Sequence, residues 1–358
     1  MMKRDSAETE APRSLPLDGD LRQLTITFCF RTFAHNQGKL HVVTSSLVAA
    51  GCRVTQTGDE PLRLRADEVV WILGNANWFP VIRRQLAATP QAGRPVVVIW
   101  HTEPLPPPTA AGLPWPRLHA RELAKIFLRH ANATDVYTNY WRLRALARKG
   151  LPDLLAVSTR GGCQFLAERG TVAHWVPFGY DPSYGHDMNL PRDIDVLFLG
   201  EHQIPRRRRL LEDLRRQGIN LLAVGSWSDP AYWGENRTRL LNRAKIVLNL
   251  QRHPGELSGV RFILAMANNA LVISELIYDP APYIPGKHYV SAAPEDFPRV
   301  IRYYLTHEDE RMAIANEGHR FVTQELTMAR SVAQILALIR VQTAQHLAHN
   351  LRAAGGRE

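Results

Sequence analysis

The chain has 358 residues, more than one hydrophobic core usually organises, so two domains of ordinary size are expected. Its 45% hydrophobic and 22% charged content is that of a folded soluble protein, with no apolar run near the roughly 18–20 residues of a membrane span. Three cysteines without CxxC or Cys/His ligand spacing, Cys29, Cys52 and Cys163, exclude a disulfide framework and a zinc site and suit a reduced cytoplasmic setting. The formal charge of +10 comes mostly from arginine, whose planar fork matches phosphate and pyrophosphate. A solvated basic surface explains the same charge and leaves contact with anionic lipid open; nucleic-acid binding would rest on charge alone and is not expected.

Residues 1–20, MMKRDSAETEAPRSLPLDGD, mix charge, Pro and Ser and read as a disordered tail, not a signal peptide. From residue 24 short β-branched and aromatic runs alternate with helical segments: LTITFCF, EVVWIL, PVVVIW, DVYTN, LLAVST and AHWVPFG. Such alternation indicates parallel strands joined by crossover helices, a doubly wound α/β domain over 21–178. VPFGYDPSYGHDMNLPRD interrupts the periodicity. A second series follows over 179–326, with strands DVLFLG, NLLAVG, KIVLNL and ALVISE. Past residue 294 the pattern is helical, and Thr327 can cap a last amphipathic helix over 327–358 that is free to pack back on the first domain.

In an open α/β sheet ligands bind beyond the carboxyl ends of the strands. Four such ends in the second half carry Gly200-Glu201, Gly225-Ser226-Trp227, Asn249 to Arg252 and Ser274-Glu275. Arg206 and Arg207 open a helix behind Pro205, where guanidinium groups and free N–H groups both favour phosphate oxygens. Arg208 and Arg209 continue the run, and four successive arginines point all round a helix, so most should be solvated. Arg261 stands in an apolar helix and is either paired structurally or turned to an anion. In the first half FAHNQGK offers Asn36, Gln37 and Gly38 behind the first strand, and Arg160 follows LLAVST; these are candidates for an acceptor side. His101 and Glu103 follow PVVVIW, an imidazole beside a carboxylate that could act as a general base.

The second half resembles the C-terminal domain of GT-B glycosyltransferases, most closely the CgeB-like and group 1 families. The resemblance rests on VPFGYDP, on DIDVLFLGEHQIPRRRRLL, on residues 256 to 275, which are similar to a Glu-x7-Glu segment, and on PGKHYV followed by EDERMAIANEGHRFV. It implies two Rossmann-like doubly wound parallel-sheet domains facing a cleft. It also implies a hexosyltransferase-type activity with a nucleotide-sugar donor on the second domain; with Arg side chains and helix N-termini to stabilise the leaving diphosphate, neither metal nor cofactor is expected. The acceptor, a saccharide, lipid-linked glycan, small molecule or protein, is left unspecified. The first Glu of the segment, implied to contact the donor sugar, matches Glu256, and Ser258, Gly259, Arg252 and Arg261 fall on the donor side with it. The second Glu, implied to hold the ribose, is replaced by Leu264, which accepts no hydrogen bond. Ribose binding would then fall to Glu275 or Glu201, or the chain has lost transfer and only binds. The Gly expected before the last strand is Asn269, which tolerates a left-handed backbone.

Overall fold

A computed structural model describes residues 24–31, 39–90, 93–113, 120–128, 136–225 and 229–355. The first sheet contains β1 (Thr25–Cys29), β2 (Arg53–Thr57), β3 (Val69–Leu73), β4 (Val96–His101), β5 (Leu154–Val157) and β6 (His174–Trp175), all parallel in the order β2-β1-β3-β4-β5-β6. Its crossovers carry α1 (Lys39–Ala49), α2 (Pro80–Ala88), α3 (Ala120–Phe127), α4 (Val136–Ala147) and α5 (Arg160–Ala167). Every residue of β3, β4 and β5 is buried, as expected for parallel strands covered on both faces.

The second sheet holds β7 (Ile194–Leu199), β8 (Leu221–Val224), β9 (Ala244–Asn249), β10 (Leu271–Ser274) and β11 (Val290–Ser291), parallel in the order β11-β10-β9-β7-β8. The helices α6 (Pro205–Arg216), α7 (Gly234–Asn242) and α8 (Gly259–Ala267) link its strands, and α9 (Phe297–Thr306) and α10 (Glu308–Arg320) close the domain. A π-helical turn, Phe321–Glu325, leads to α11 (Met328–Gly355). Among the described residues no helix is long and apolar enough to cross a membrane.

Each sheet reverses its strand order once, between β1 and β3 in the first and between β7 and β9 in the second, which opens a crevice at that point. The chain crosses between domains twice, and the crossings touch. The Tyr180 amide donates to the Leu326 carbonyl at 2.7 Å and the Met328 amide to the Tyr180 carbonyl at 2.7 Å. Gly179 lies at the contact, where a β-carbon would stand 2.5 Å from the Met328 nitrogen, so the crossing requires a residue without a side chain. Past it, Met328, Val332, Ile335, Leu336 and Ile339 of α11 enter the same buried cluster as Ile26, Trp71 and Trp100 of the first sheet. Each such aliphatic side chain contributes about 1.5–3 kcal/mol when removed from water, so the last helix is part of the first domain's core.

Two local readings are corrected. DVYTN, expected as a strand, begins α4, because Val136, Tyr140 and Leu143 are buried at helical spacing and packing overrides local propensity. The polar RVTQT, not expected to form a strand, is the edge strand β2, held by its ladder to β1.

Candidate active site between the two domains

The second-domain crevice is built from the loops after β7 and β9 and from the starts of α6 and α8. Pro205 occupies the first turn of α6, as its fixed φ favours. One helical turn then separates the four arginines: Arg206 and Arg207 turn inward, while Arg208 and Arg209 are exposed and Arg208 reaches Glu212 at 3.8 Å. Arg206 grips Glu275 with both terminal nitrogens, one at 2.9 Å, and donates to the Gln251 carbonyl at 3.1 Å. Arg207 donates to the carbonyls of Leu250 (3.0 Å) and Glu201 (3.2 Å).

Arg261 reaches into the crevice from α8 and donates to Asn249 Oδ1 at 2.8 Å and to the Leu250 carbonyl at 3.2 Å. Its guanidinium lies 5.4 Å from the Phe198 ring, and that of Arg207 lies 5.7 Å from the same ring. Gly200 permits this approach: its φ is +146, and a β-carbon there would meet Arg261 Nη2 at 3.2 Å. Burial, and then the neighbouring Arg207, push the Arg261 guanidinium down to about 9. Burial likewise lowers Arg207. Two guanidinium groups desolvated side by side repel one another, and an entering anion would relieve that repulsion.

Ser258 caps α8 without a side-chain hydrogen bond, and the space beyond Gly259 is open for at least 4 Å where a side chain would stand. The N-terminus of α8 therefore meets the arginines with its first-turn N–H groups and its positive dipole end. Glu256 sits beside it, with the His253 amide donating to its carboxylate at 3.2 Å. Burial raises the Glu256 carboxyl, a shift partly offset by that amide and by Arg207, Arg261 and Arg252. Leu264 packs partly buried against the cluster around Phe262 and Met266. Asn269 adopts φ 56, the left-handed backbone allowed for it.

The first domain faces this crevice with the loop after β4. Glu103 is pushed up to about 7, first by burial and then by the charge of Glu256, so two carboxyls from opposite domains lie near one another. Below it, Asn139 donates to the Pro104 carbonyl at 2.8 Å and accepts from Asn75 at 2.6 Å, a buried pair that fixes the loop. His101 corrects the reading of an exposed imidazole base. As the last residue of β4 it is 1% exposed, and burial lowers it to about 4. It stays neutral beneath the crevice and cannot meet an acceptor.

Arg160, expected on the acceptor side, lies where the two domains meet. It pairs with Asp279 of the second domain at 3.1 Å and lies 5.5 Å from the Trp175 ring. Beside it the Tyr278 hydroxyl donates to Gln164 at 2.7 Å, and Gly255 meets Leu113. This clasp joins the two domains, and no sequence motif announces it, because its partners meet only through the fold. Glu275 has its carboxylate taken by Arg206 and by the Gln251 amide at 2.6 Å, so it braces the crevice floor. Glu201 contributes its carbonyl to Arg207. Asn36, Gln37, Gly38, Ser226 and Trp227 lie outside the described residues. Among the described residues no group of three or more His, Cys, Asp or Glu is placed to hold a metal ion.

Residues 206–337 match the family described as glycosyl transferase-like. No curated protein matches the chain. Among solved structures, Alr3699/HepE of Anabaena, crystallised with UDP and glucose, superposes with a TM-score of 0.59 at 10% identity, covering 89% of this chain and 100% of that one. A glycosyltransferase from Rickettsia africae gives 0.54 at 10% identity, covering 89% and 98%. TarM, known from S. aureus, gives 0.54 at 9% identity, covering 76% of this chain and 55% of TarM, so the chain spans about half of that protein. At such identities the likeness is one of fold: the chain has the two-domain GT-B fold, and its residues 206–337 match the glycosyl transferase-like family.

Proposed function

We propose that the chain is a cytoplasmic glycosyltransferase that moves a hexosyl group from a nucleoside diphosphate sugar to a hydroxyl acceptor, without a metal ion. The observation that carries this reading is the pairing of Arg207 and Arg261 with the open N-terminus of α8, at the point where the second sheet reverses its order. Such a set neutralises a departing diphosphate as its charge develops, a role otherwise given to a cation. Glu256 would lie by the donor sugar. Glu103, raised to about 7, would take the acceptor's hydroxyl proton in its ionised form. Asn36, Gln37, Gly38, Ser226 and Trp227 retain their sequence-based roles in this reading.

Leu264 favours a second reading, a GT-B protein that binds nucleotide but no longer transfers sugar. A melting screen with nucleoside diphosphates addresses the site without knowledge of sugar or acceptor, and UDP is the first to test because Alr3699/HepE was solved with it. A ligand at about 100 times its dissociation constant adds roughly 2.7 kcal/mol, which raises the melting temperature by several degrees. A rise selective for one base, followed by release of that nucleoside diphosphate from its sugar conjugate, supports transfer. A rise without turnover supports the binding reading, and no rise with any base overturns the nucleotide site.

A further inference from the structure

An amphipathic helix normally turns its apolar stripe to the core. In α3 the stripe is turned outward. Ala120, Leu123, Ala124, Phe127 and the adjoining Leu128 follow i, i+3, i+4, i+7, i+8 spacing and all are exposed, Phe127 by 82% and Leu128 by 78%. Large apolar side chains gathered on one surface mark a contact. The surrounding sequence, RLHARELAKIFLRH over 117–130, has four Arg or Lys residues, two His and a single Glu, in a chain of formal charge +10.

We propose that α3 docks on an anionic bilayer, inserting Leu123, Phe127 and Leu128 at the boundary between headgroups and acyl chains. Apolar residues of this size, with an aromatic among them and in a basic stretch of sequence, fit an interfacial helix. The basic sequence complements an anionic surface. A second copy of the chain is a poor occupant, because three large side chains on an eight-residue helix fall far short of the roughly 1,000 Å² that a stable interface buries. The helix belongs to the β4–β5 connection, whose beginning supplies Glu103 and the Leu113 contact to Gly255. A docked α3 thus belongs to the same connection as the crevice wall, a placement suited to an acceptor carried in the membrane. Docking itself does not depend on the transfer reading.

The test is co-sedimentation of the full chain with vesicles of phosphatidylcholine alone, or with roughly one-third phosphatidylglycerol. The comparison is the triple variant L123Q/F127Q/L128Q, whose substitutions fall on exposed positions and whose melting temperature verifies folding. Binding is expected only to the anionic vesicles. The variant should bind roughly tenfold more weakly or worse, and added salt should weaken both. No binding to anionic vesicles, equal binding to neutral ones, or equal binding of the folded variant overturns the proposal. Sedimentation velocity without lipid identifies the remaining occupant, since a dimer that the triple variant abolishes also overturns it.

Discussion

The two domains share one strand order up to their fifth strands and differ in what that order displays. At the second domain's reversal point the crevice is cationic, with Arg207 and Arg261 beside Phe198, Arg206 paired to Glu275, and an open helix N-terminus. The first domain meets it with a neutral buried His101, a carboxyl poised near 7 and an amide network. In the proposed function the same topology would therefore make a place for phosphate on one side and for proton transfer on the other. Topology positions a crevice, and the charges at its rim decide its chemistry.

The largest expected effect separates the two halves by their chemistry. Replacing Glu103 by Gln should lower kcat by about 10²–10⁴ while leaving nucleoside diphosphate affinity unchanged. In the unaltered protein kcat/KM should rise with pH through about 7 as this carboxyl ionises, and E103Q should flatten that limb. E256Q, which removes the charge that raises Glu103, should move the limb to lower pH. The same raised value has a stability consequence. The folded state holds a proton that the unfolded chain releases at ordinary carboxylate pH, so stability falls as pH rises from that range to about 7. E103Q should therefore melt higher than the parent at alkaline pH and show no such gain in acid. If E103Q instead weakens nucleotide binding, the division between the halves fails.

A smaller effect is expected on the cationic side. Arg261→Met should weaken nucleoside diphosphate binding roughly 10- to 100-fold, the range for a hydrogen bond to a charged group, measured by titration calorimetry. Arg208→Ala, in an exposed side chain of the same run, is the control and should leave affinity unchanged. Equal losses for both variants would reduce the site to diffuse basicity.

The smallest effect concerns the junction that sets the halves against each other. Gly179→Ala forces a methyl against the Thr327–Met328 backbone and should cost about 1–3 kcal/mol, read as a lower melting temperature. An unchanged melting temperature would show that the two crossings tolerate separation.

Much of this architecture was legible in the chain, and the reasons differ by element. β3, β4, β9 and β10 announce themselves as short apolar runs because parallel strands are buried on both faces. β2 is polar and depends on its neighbour, so no local signal marks it. Val136 and Tyr140 read locally as strand, yet burial at helical spacing decides for α4. The helix start behind Pro205 pointed to Arg206 and Arg207, the charge in an apolar helix to Arg261 and the family resemblance to Glu256, and the structure brings these to one crevice; strand-end position pointed to His101. It erred there, because the last residue of a strand faces core or cleft according to a side-chain alternation that a fully apolar run conceals. The Arg160–Asp279 and Gln164–Tyr278 contacts pair residues more than a hundred positions apart and leave no trace in either segment.

The seating of α11 in the first domain also sets an order of events during synthesis. Ile26, Trp71 and Trp100 leave the ribosome long before Met328 to Ile339, which complete their cluster. At about 5–20 residues per second, that face waits for seconds while the whole second domain is translated. The second domain can therefore close first, and the nascent first domain needs either a chaperone or its own provisional collapse to shield the groove that its last helix will fill.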